Sequence, residues 1–183
     1  MAKIDDFRAR LSGGGARPSQ FKVMLTFPSW VTEGPYAAAS GEFLIKATTL
    51  PASTIAPIEV PYRGRMAKIA GERQFQNWNV TIINDNDFLI RNALESWSRG
   101  ILENDDTYGR MEPSSYTSDM IVQQLDRNEG VLKEYKFFNC FPQVIGEIGL
   151  DFSATTQIEE YQVEFSIDYW LQHAAAGGVR RGL

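Results

Sequence analysis

The side chains best suited to catalysis are scarce in this chain of 183 residues, which contains one histidine and one cysteine. His173 alone cannot build a catalytic triad or a multi-histidine metal centre. Cys140 stands between Phe138 and Phe141 and has no second cysteine to pair with. It is therefore expected to be a small buried apolar residue in a reducing compartment. These residue types argue against nucleophilic and metal-assisted chemistry.

Acidic pairs are the remaining candidates, because two carboxylates can act as acid and base or can bind calcium. Asp85 and Asp87 stand just before a segment of helical period, which gives them a role at the start of that helix. Glu160, Glu164 and Asp168 recur at even positions of an alternating segment. They are expected on the polar face of a strand, which either faces solvent or lines an aqueous space.

Three further patterns carry no convincing site. The glycines at 13–15 lack the Gly-Lys-Ser/Thr ending of a phosphate-binding loop and are interpreted as a hinge. Residues 79–81 match a glycosylation sequon, but they lie inside an alternating strand pattern, so the match is interpreted as chance. The net charge is −5, the pI is about 5.0, and no basic stripe of a sequence-specific nucleic-acid binder is present.

The elements that must position these residues are mainly strands, since apolar residues recur with period two. Hydrophobic residues make up 43% of the chain, which favours one globular domain. A turn is expected at 126–130. Strands are predicted at residues 21–27, 42–48, 58–62, 65–70, 74–83, 121–127, 131–138, 147–152 and 161–169.

One segment, residues 87–99, has helical period, with apolar residues at 90, 93, 94, 97 and 101. Asn84 is the predicted cap, and Gly100 the predicted left-handed exit. Residues 102–119 are polar and are expected to form a long loop. This order of elements predicts a mainly β (α+β) sandwich or barrel with one helix on its flank.

The two ends differ in composition from the body, which is expected to span residues 18–172. In the arm at 1–17, Ile4, Phe7 and Leu11 recur at helical spacing. The tail at 173–183 is rich in alanine and glycine and carries Arg180 and Arg181. No run of about 18 apolar residues occurs, so the sequence predicts neither a membrane span nor a signal peptide.

Several blocks, in this order, resemble the tube subunits of contractile-tailed, T4-like bacteriophages. They lie at residues 16–21, 46–52, 58–65, 69–75, 78–81, 84–97, 141–152 and 167–170. The resemblance implies two packed antiparallel sheets with a flanking helix. It also implies hexameric rings that stack inside a contractile sheath, with each subunit lending strands to one β-barrel around a channel.

The resemblance further implies a structural virion protein of the phage tail, assembled in the host cytoplasm, with no enzymatic activity and no cofactor. Its expected partners are itself, the sheath protein, the baseplate and the tail terminator. DNA would pass through the channel without specific binding. There is no membrane anchor in this expectation.

Specific residues receive roles from the resemblance. The loop that joins neighbouring rings corresponds to residues 48–57, with Thr48, Leu50, Pro51, Ile55 and Pro57; the alternative is a proline-rich loop packed on its own body. The arm (Ile4, Phe7, Leu11) and the tail (Arg180, Arg181) are expected to order only against neighbouring subunits. Glu160, Glu164 and Asp168 are hypothesised to face the channel, where acidic groups would discourage phosphate from sticking.

Other functions remain open from the residues alone. A baseplate protein that initiates the tube, or the tube of a related contractile injection system, would share the pattern. A β-barrel that binds a small apolar ligand and a hydrolase that uses paired carboxylates belong to different classes.

Overall fold

A computed structural model describes residues 4–10, 15–103 and 108–174 of the chain. Thirteen elements occur in these ranges. In chain order they are α1 (Ile4–Arg10), β1 (Phe21–Met24), α2 (Gly34–Leu44), β2 (Ile45–Thr48), β3 (Ser53–Tyr62), β4 (Arg65–Phe75), β5 (Trp78–Ile83), α3 (Leu89–Ile101), α4 (Pro113–Tyr116), β6 (Ser118–Leu125), β7 (Val131–Ile145), β8 (Glu160–Ser166) and β9 (Tyr169–Ala174).

Seven strands form an antiparallel network with the order β1-β6-β7-β8-β5-β2, and β9 also pairs with β7. The first part of β7 pairs with β6 and β9, which with β1 form sheet A. The last part of β7 pairs with β8, which with β5 and β2 forms sheet B. Asn139, between the two parts, has a left-handed φ of 54°. The predicted pair of antiparallel sheets with a flanking helix is confirmed, although the described strands do not close into a barrel.

Large aromatic side chains fill the space between the two sheets. The Trp78 ring of sheet B lies 4.9 Å from Phe137 of sheet A and 5.2 Å from Phe165 of its own sheet. Trp97 of α3 approaches Phe165 at 6.3 Å between ring centroids. All four side chains are completely buried. The core is thus the alternating inward face of the strands, closed on one side by α3.

Helix α3 begins and ends two residues later than the sequence predicts, and its apolar face is the predicted one. Ile90, Ala93, Leu94 and Trp97 are its buried residues. The predicted cap is wrong, because Asp85 rather than Asn84 serves the first turn: its Oδ1 accepts the Leu89 N–H at 3.0 Å. Asn84 instead donates its side-chain amide to Glu159.

The predicted role of Gly100 is also wrong. The residue lies inside α3 and does not have a positive φ. A Cβ at this position would lie 2.2 Å from ring atoms of Trp30, so glycine is needed because the indole packs directly against the helix. Trp30 is fixed there by a hydrogen bond from its Nε1 to the Ser115 carbonyl at 2.9 Å. It also lies under the Arg110 guanidinium, 4.3 Å from the ring centroid.

Two predicted strands are absent or displaced. Residues 42–44 belong to α2, where a proline in the first turn and three consecutive alanines favour helix. Residues 147–152 form no strand, because β7 stops pairing with β8 at Ile145 and the chain leaves the sheet with Leu150 and Phe152 exposed.

Several boundaries also move. The segment predicted as one strand at 74–83 divides into the end of β4 and β5, and β1 ends at Met24 rather than at 27. The short helix α4 lies in the predicted long loop. The turn at 126–130 is confirmed, with Asp126 Oδ1 accepting the N–H groups of Asn128 and Gly130. Strand β9 continues through Ala174, so His173 pairs with Glu134 and is not part of a loose tail.

Candidate assembly surfaces

Strands β3 and β4 form a long hairpin that pairs with no other described strand. It prolongs the β2–β5 ladder, since Thr48 pairs with Val80 and the hairpin starts at the pair Ser53–Phe75. At its tip, Arg63 and Gly64 have φ values of 46° and 80°, which is the left-handed geometry of a tight two-residue hairpin turn. The hairpin is therefore a projecting arm, which we call the hairpin arm (residues 53–75).

The hairpin arm is exposed on both faces. Ile58 pairs with Ile69 and Val60 with Ala67, so these apolar side chains share one face. The opposite face carries the ion pair between Glu59 and Lys68, with 3.5 Å between the charged atoms. Ile58 and Ile69 are 55% and 57% exposed. A two-stranded ribbon with water on both faces is marginally stable by itself, and an exposed apolar face of this kind is a candidate interaction surface.

The two free edges of the hairpin arm are not equivalent. In a two-residue hairpin the pair next to the turn exchanges both hydrogen bonds, and alternate pairs then direct their N–H groups outward. Counting from the Tyr62–Arg65 pair, the outward positions on β3 include Pro57 and Pro61, which have no N–H. The outward positions on β4 are Met66, Lys68 and Ala70, which all have one. Only the β4 edge offers a full row of groups for another strand.

The segment predicted to join neighbouring rings, residues 48–57, is a loop only at 49–52. Thr48 ends β2, and its hydroxyl accepts the Trp78 Nε1–H at 2.8 Å. Pro51 is buried in its own subunit, whereas Leu50 is 45% exposed. Ile55 and Pro57 lie in β3, because pairing with β4 already begins at Ser53. The second half of the predicted loop is thus the base of the hairpin arm.

Sheet B has a polar face directed away from the core. Asn79 pairs with Glu164 and Thr81 with Gln162, and these four side chains share that face. A flanking amide, Asn77 Nδ2, donates to Glu164 Oε1 at 2.7 Å.

The other two acids predicted for this face also have partners. Glu160 forms an ion pair with Lys46 of β2. Asp168 is exposed but lies between β8 and β9, where it accepts a hydrogen bond from Asn139 Nδ2 at 2.6 Å. Glu160 and Glu164 therefore share a strand face, and Asp168 lies beyond its end.

Within the predicted arm at 1–17, residues 4–10 form helix α1. Ile4 and Phe7 lie on α1 and are 66% and 64% exposed, so the described part of the subunit leaves most of each side chain uncovered. Leu11, Arg180 and Arg181 lie outside the described residues.

The candidates for chemistry are occupied by structural roles. Cys140 is fully buried, and burial, together with the negative charge of Asp119, raises its pKa to about 12. It is therefore a thiol at neutral pH and not a nucleophile. Asp85 is committed to the start of α3, and Glu164 accepts the Asn77 amide. Within the described residues, no group of three or more His, Cys, Asp and Glu side chains is arranged to hold a metal ion.

Membrane insertion through a helix has no support in the described part of the chain, where no helix combines the necessary length and apolarity.

Sequence comparison identifies the family of this chain. Residues 16–173 match the family described as phage tail tube protein. The chain belongs to this family. It is 31% identical over 169 residues to tail tube protein gp19 of Enterobacteria phage T4, a match that covers 91% of this chain and 98% of the relative. The tail tube protein of Serratia phage KSP90 is 28% identical over 168 residues, covering 88% and 92% of the two chains.

Solved structures show the same fold at low sequence identity. The tube-terminating cap of the anti-feeding prophage has a TM-score of 0.64 and 16% identity, covering 88% of this chain and 92% of that one. A chain of the PVC sheath–tube complex, from an extracellular contractile injection system, has a TM-score of 0.58 and 14% identity, covering 91% and 97%. The expectation of a structural tail tube protein of contractile phages is confirmed at this level.

Sequence reasoning placed strands at 58–62 and 65–70 of this tail tube protein, but it missed the base of the hairpin arm at 53–57 and 71–73. The alternation at 58–62 and the Arg-Gly pair at 63–64 were signals for the hairpin. Sequence reasoning also missed the exposed loop at 146–159, because its apolar residues alternate as those of a strand do.

Proposed function

We propose that this tail tube protein forms hexameric rings that stack into the inner tube of a contractile phage tail and carry DNA during ejection. The observation that carries the proposal is the hairpin arm, whose apolar face is not covered by any other described part of the subunit. A copy of the same chain is the occupant that a tube provides. Sheath, baseplate and tail terminator are the other proposed partners, and assembly would take place in the host cytoplasm before the tube becomes part of the virion.

Lateral closure needs strand edges that accept a neighbour. Sheet B ends in β2 on one side, and the hairpin arm prolongs this sheet with the open β4 edge described above. Pairing between subunits along such edges would close a shared barrel and remove exposed backbone groups. Residues 48–57, at the base of the hairpin arm, are proposed to contribute to stacking between rings, with Leu50 and Ile55 as exposed apolar contacts.

The polar face of sheet B is the proposed channel wall. Its side chains are mainly amides and hydroxyls, and Glu160 neutralises the charge of Lys46. The wall would therefore present little fixed positive charge to DNA phosphates. Asn79, Thr81 and Gln162 would offer hydrogen bonds to water instead. A conduit for DNA needs low affinity rather than tight binding, and no catalytic role is proposed.

Rival functions have less support. Trp78, Phe137 and Phe165 occupy the interior where a ligand-binding barrel would hold its ligand. Asp85 and Glu164 stand apart, since Glu164 pairs with Asn79 and Asp85 lies six residues further along the chain, beyond the end of β5.

Negative-stain electron microscopy of the purified protein, incubated with a matching baseplate as a seed, tests the proposal. Long cylinders of uniform width with a central channel are expected. They would also favour the main tube subunit over a tube initiator. Protein that remains dispersed on a competent seed would contradict the proposed function.

The channel wall can be tested separately by thiol labelling, because the native Cys140 is buried. A maleimide carried on a large polymer should react with the Gln162→Cys monomer and should not react with the same variant in assembled cylinders. Ser98→Cys, exposed on α3, is the matched control for an outward position. Equal labelling of Gln162→Cys in cylinders and monomers would remove the polar face from the channel.

A further inference from the structure

An apolar pocket opens between the two sheets, at the end of the sandwich where the hairpin arm begins. Its volume is about 170 Å³, and most of its lining residues are apolar: Pro18, Phe21, Leu50, Val122 and Tyr135. Thr48 and Leu50 form the wall on the side of sheet B, and strands β1, β6 and β7 form the wall on the side of sheet A. The pocket therefore lies at the mouth of the sandwich, outside its packed aromatic core.

The register of sheet A explains the chemistry of this mouth. Val122 pairs with Tyr135, and the next pair on the same face is Gln124 with Lys133. Val122 is buried in the core, so Gln124 and Lys133 also lie on the face directed towards sheet B. The core-facing side chains thus change from apolar to polar at this point. The pocket has an apolar floor and a polar rim.

The rim carries hydrogen-bond donors that lack acceptors. The half-buried Lys133 ammonium lies 5.0 Å from the Tyr135 ring centroid and forms no ion pair with a described acid. Trp170 packs edge-on against the same ring at 5.6 Å between centroids, and its buried Nε1–H has no acceptor among the described residues. The side-chain amide of Gln124 makes no hydrogen bond within the described ranges either. Because buried donors are normally paired, this corner favours a ligand that brings a negatively charged acceptor.

The size and the walls of the pocket define the rest of the ligand. An apolar cavity of about 150 Å³ is large enough to hold benzene, so the present pocket can take one six-membered ring. Phe21 and Tyr135 offer aromatic surfaces to such a ring. The Thr48 hydroxyl is not available to a ligand, because it accepts the Trp78 Nε1–H and donates to the Asn79 carbonyl. A polar group on the ring is therefore directed to the Lys133 side of the rim.

We propose that this pocket binds small aromatic monocarboxylates, with the ring between Leu50 and Tyr135 and the carboxylate directed to the Lys133 ammonium. The Gln124 amide would donate to the second carboxylate oxygen. The site belongs to the single subunit, so it goes beyond the proposed function and does not depend on tube formation. Because Thr48 and Leu50 lead directly into the hairpin arm, a bound ligand would also fix the root of that arm.

An NMR titration of the isotope-labelled, unassembled subunit with benzoate tests the site. Benzoate should bind with a Kd of about 1 mM or tighter, which is the range expected for a ligand of this size. It should shift the amide signals of Phe21, Leu50 and Val122 most strongly. Benzyl alcohol has the ring without the charge and should shift the same signals with about tenfold weaker affinity. Acetate has the charge without the ring and should leave these signals unchanged.

Two variants test the role of charge at the rim. Lys133→Met keeps the aliphatic stem and removes the ammonium, and Gln124→Glu places a negative charge beside the proposed carboxylate. Each should weaken benzoate binding by about tenfold and should change benzyl alcohol binding by less than about twofold. The matched control Arg99→Met removes one positive charge at an exposed site on α3 and should bind benzoate like wild type. Circular dichroism checks that each variant is folded.

Two results would overturn the proposal. Benzoate that causes no shifts, or only shifts scattered over residues outside the pocket, would remove the site. Equal benzoate affinity of wild type, Lys133→Met and Arg99→Met would remove carboxylates as its ligands.

Discussion

Replacing Ile58 and Ile69 together by serine should weaken assembly without destabilising the subunit. The two side chains face each other on the hairpin arm and are 55% and 57% exposed, so more than half of each remains to be buried by a neighbour. Fully burying an isoleucine is worth about 1.5–3 kcal/mol, so each loses about 1 kcal/mol of association free energy. The pair should lose about 2 kcal/mol, or roughly a thirtyfold rise in critical concentration.

Sedimentation of seeded cylinders over a concentration series measures this effect, and urea unfolding of the unassembled subunit measures stability. The matched control is Ile58→Val/Ile69→Val, which keeps a β-branched apolar pair and should assemble within a fewfold of wild type. The unfolding midpoint of the serine variant should change little, since the mutated side chains have few partners in the subunit. A serine variant that assembles normally, or one that unfolds much more easily than wild type, would refute the reasoning.

Three further predictions concern the subunit itself. Gly100→Ala should destabilise it by about 2 kcal/mol in urea unfolding, because the new methyl group displaces Trp30, whereas Gly149→Ala, with open space around it, should change little; equal effects would contradict the packing argument. Tyr161→Phe should be neutral or stabilising by up to about 1 kcal/mol, because the buried hydroxyl has no hydrogen-bond partner among the described residues, and a clear loss of stability would show a missed partner. The pKa of Cys140 rises from 9.0 to about 12 on folding, so between these pH values the folded state keeps a proton that the unfolded state loses, and the free energy of unfolding of the wild type should fall. The free energies of unfolding of wild type and Cys140→Ala should therefore differ less at about pH 11 than at about pH 8. A difference that stays constant with pH would contradict the assignment.

The sequence was a good guide where a single subunit buries its own side chains. The alternation over 160–166 and the helical period over 89–101 both arise from one face packed against the core, and both elements occur close to their predicted positions. Helix α2 escaped prediction because its buried residues are Gly34, Ala37 and Gly41, which give the sequence little amphipathic contrast.

The assembly surfaces were harder to predict because their apolar residues face no partner within the subunit. In the hairpin arm, prolines at 57 and 61 argue against a strand interior, yet both occupy outward edge positions where no N–H is needed. At 147–152 the alternation of Ile148, Leu150 and Phe152 resembles a strand, but no described strand pairs with it. Ile148 packs partly against the core, and Leu150 and Phe152 project into solvent. The hydrophobic period of a sequence reflects which side chains become buried, and we propose that other copies of the chain bury part of these assembly surfaces.

Hydrogen–deuterium exchange of the hairpin arm, compared between free subunits and seeded cylinders, tests most directly whether neighbouring copies complete each subunit. In free subunits, the outward N–H groups of Met66, Lys68 and Ala70 on β4 should exchange rapidly, because no described strand accepts them. In cylinders, peptides spanning β4 should become protected by at least about a hundredfold, as intersubunit hydrogen bonds form. Hairpin-arm amides that exchange at the same rate in cylinders and in free subunits would contradict the account.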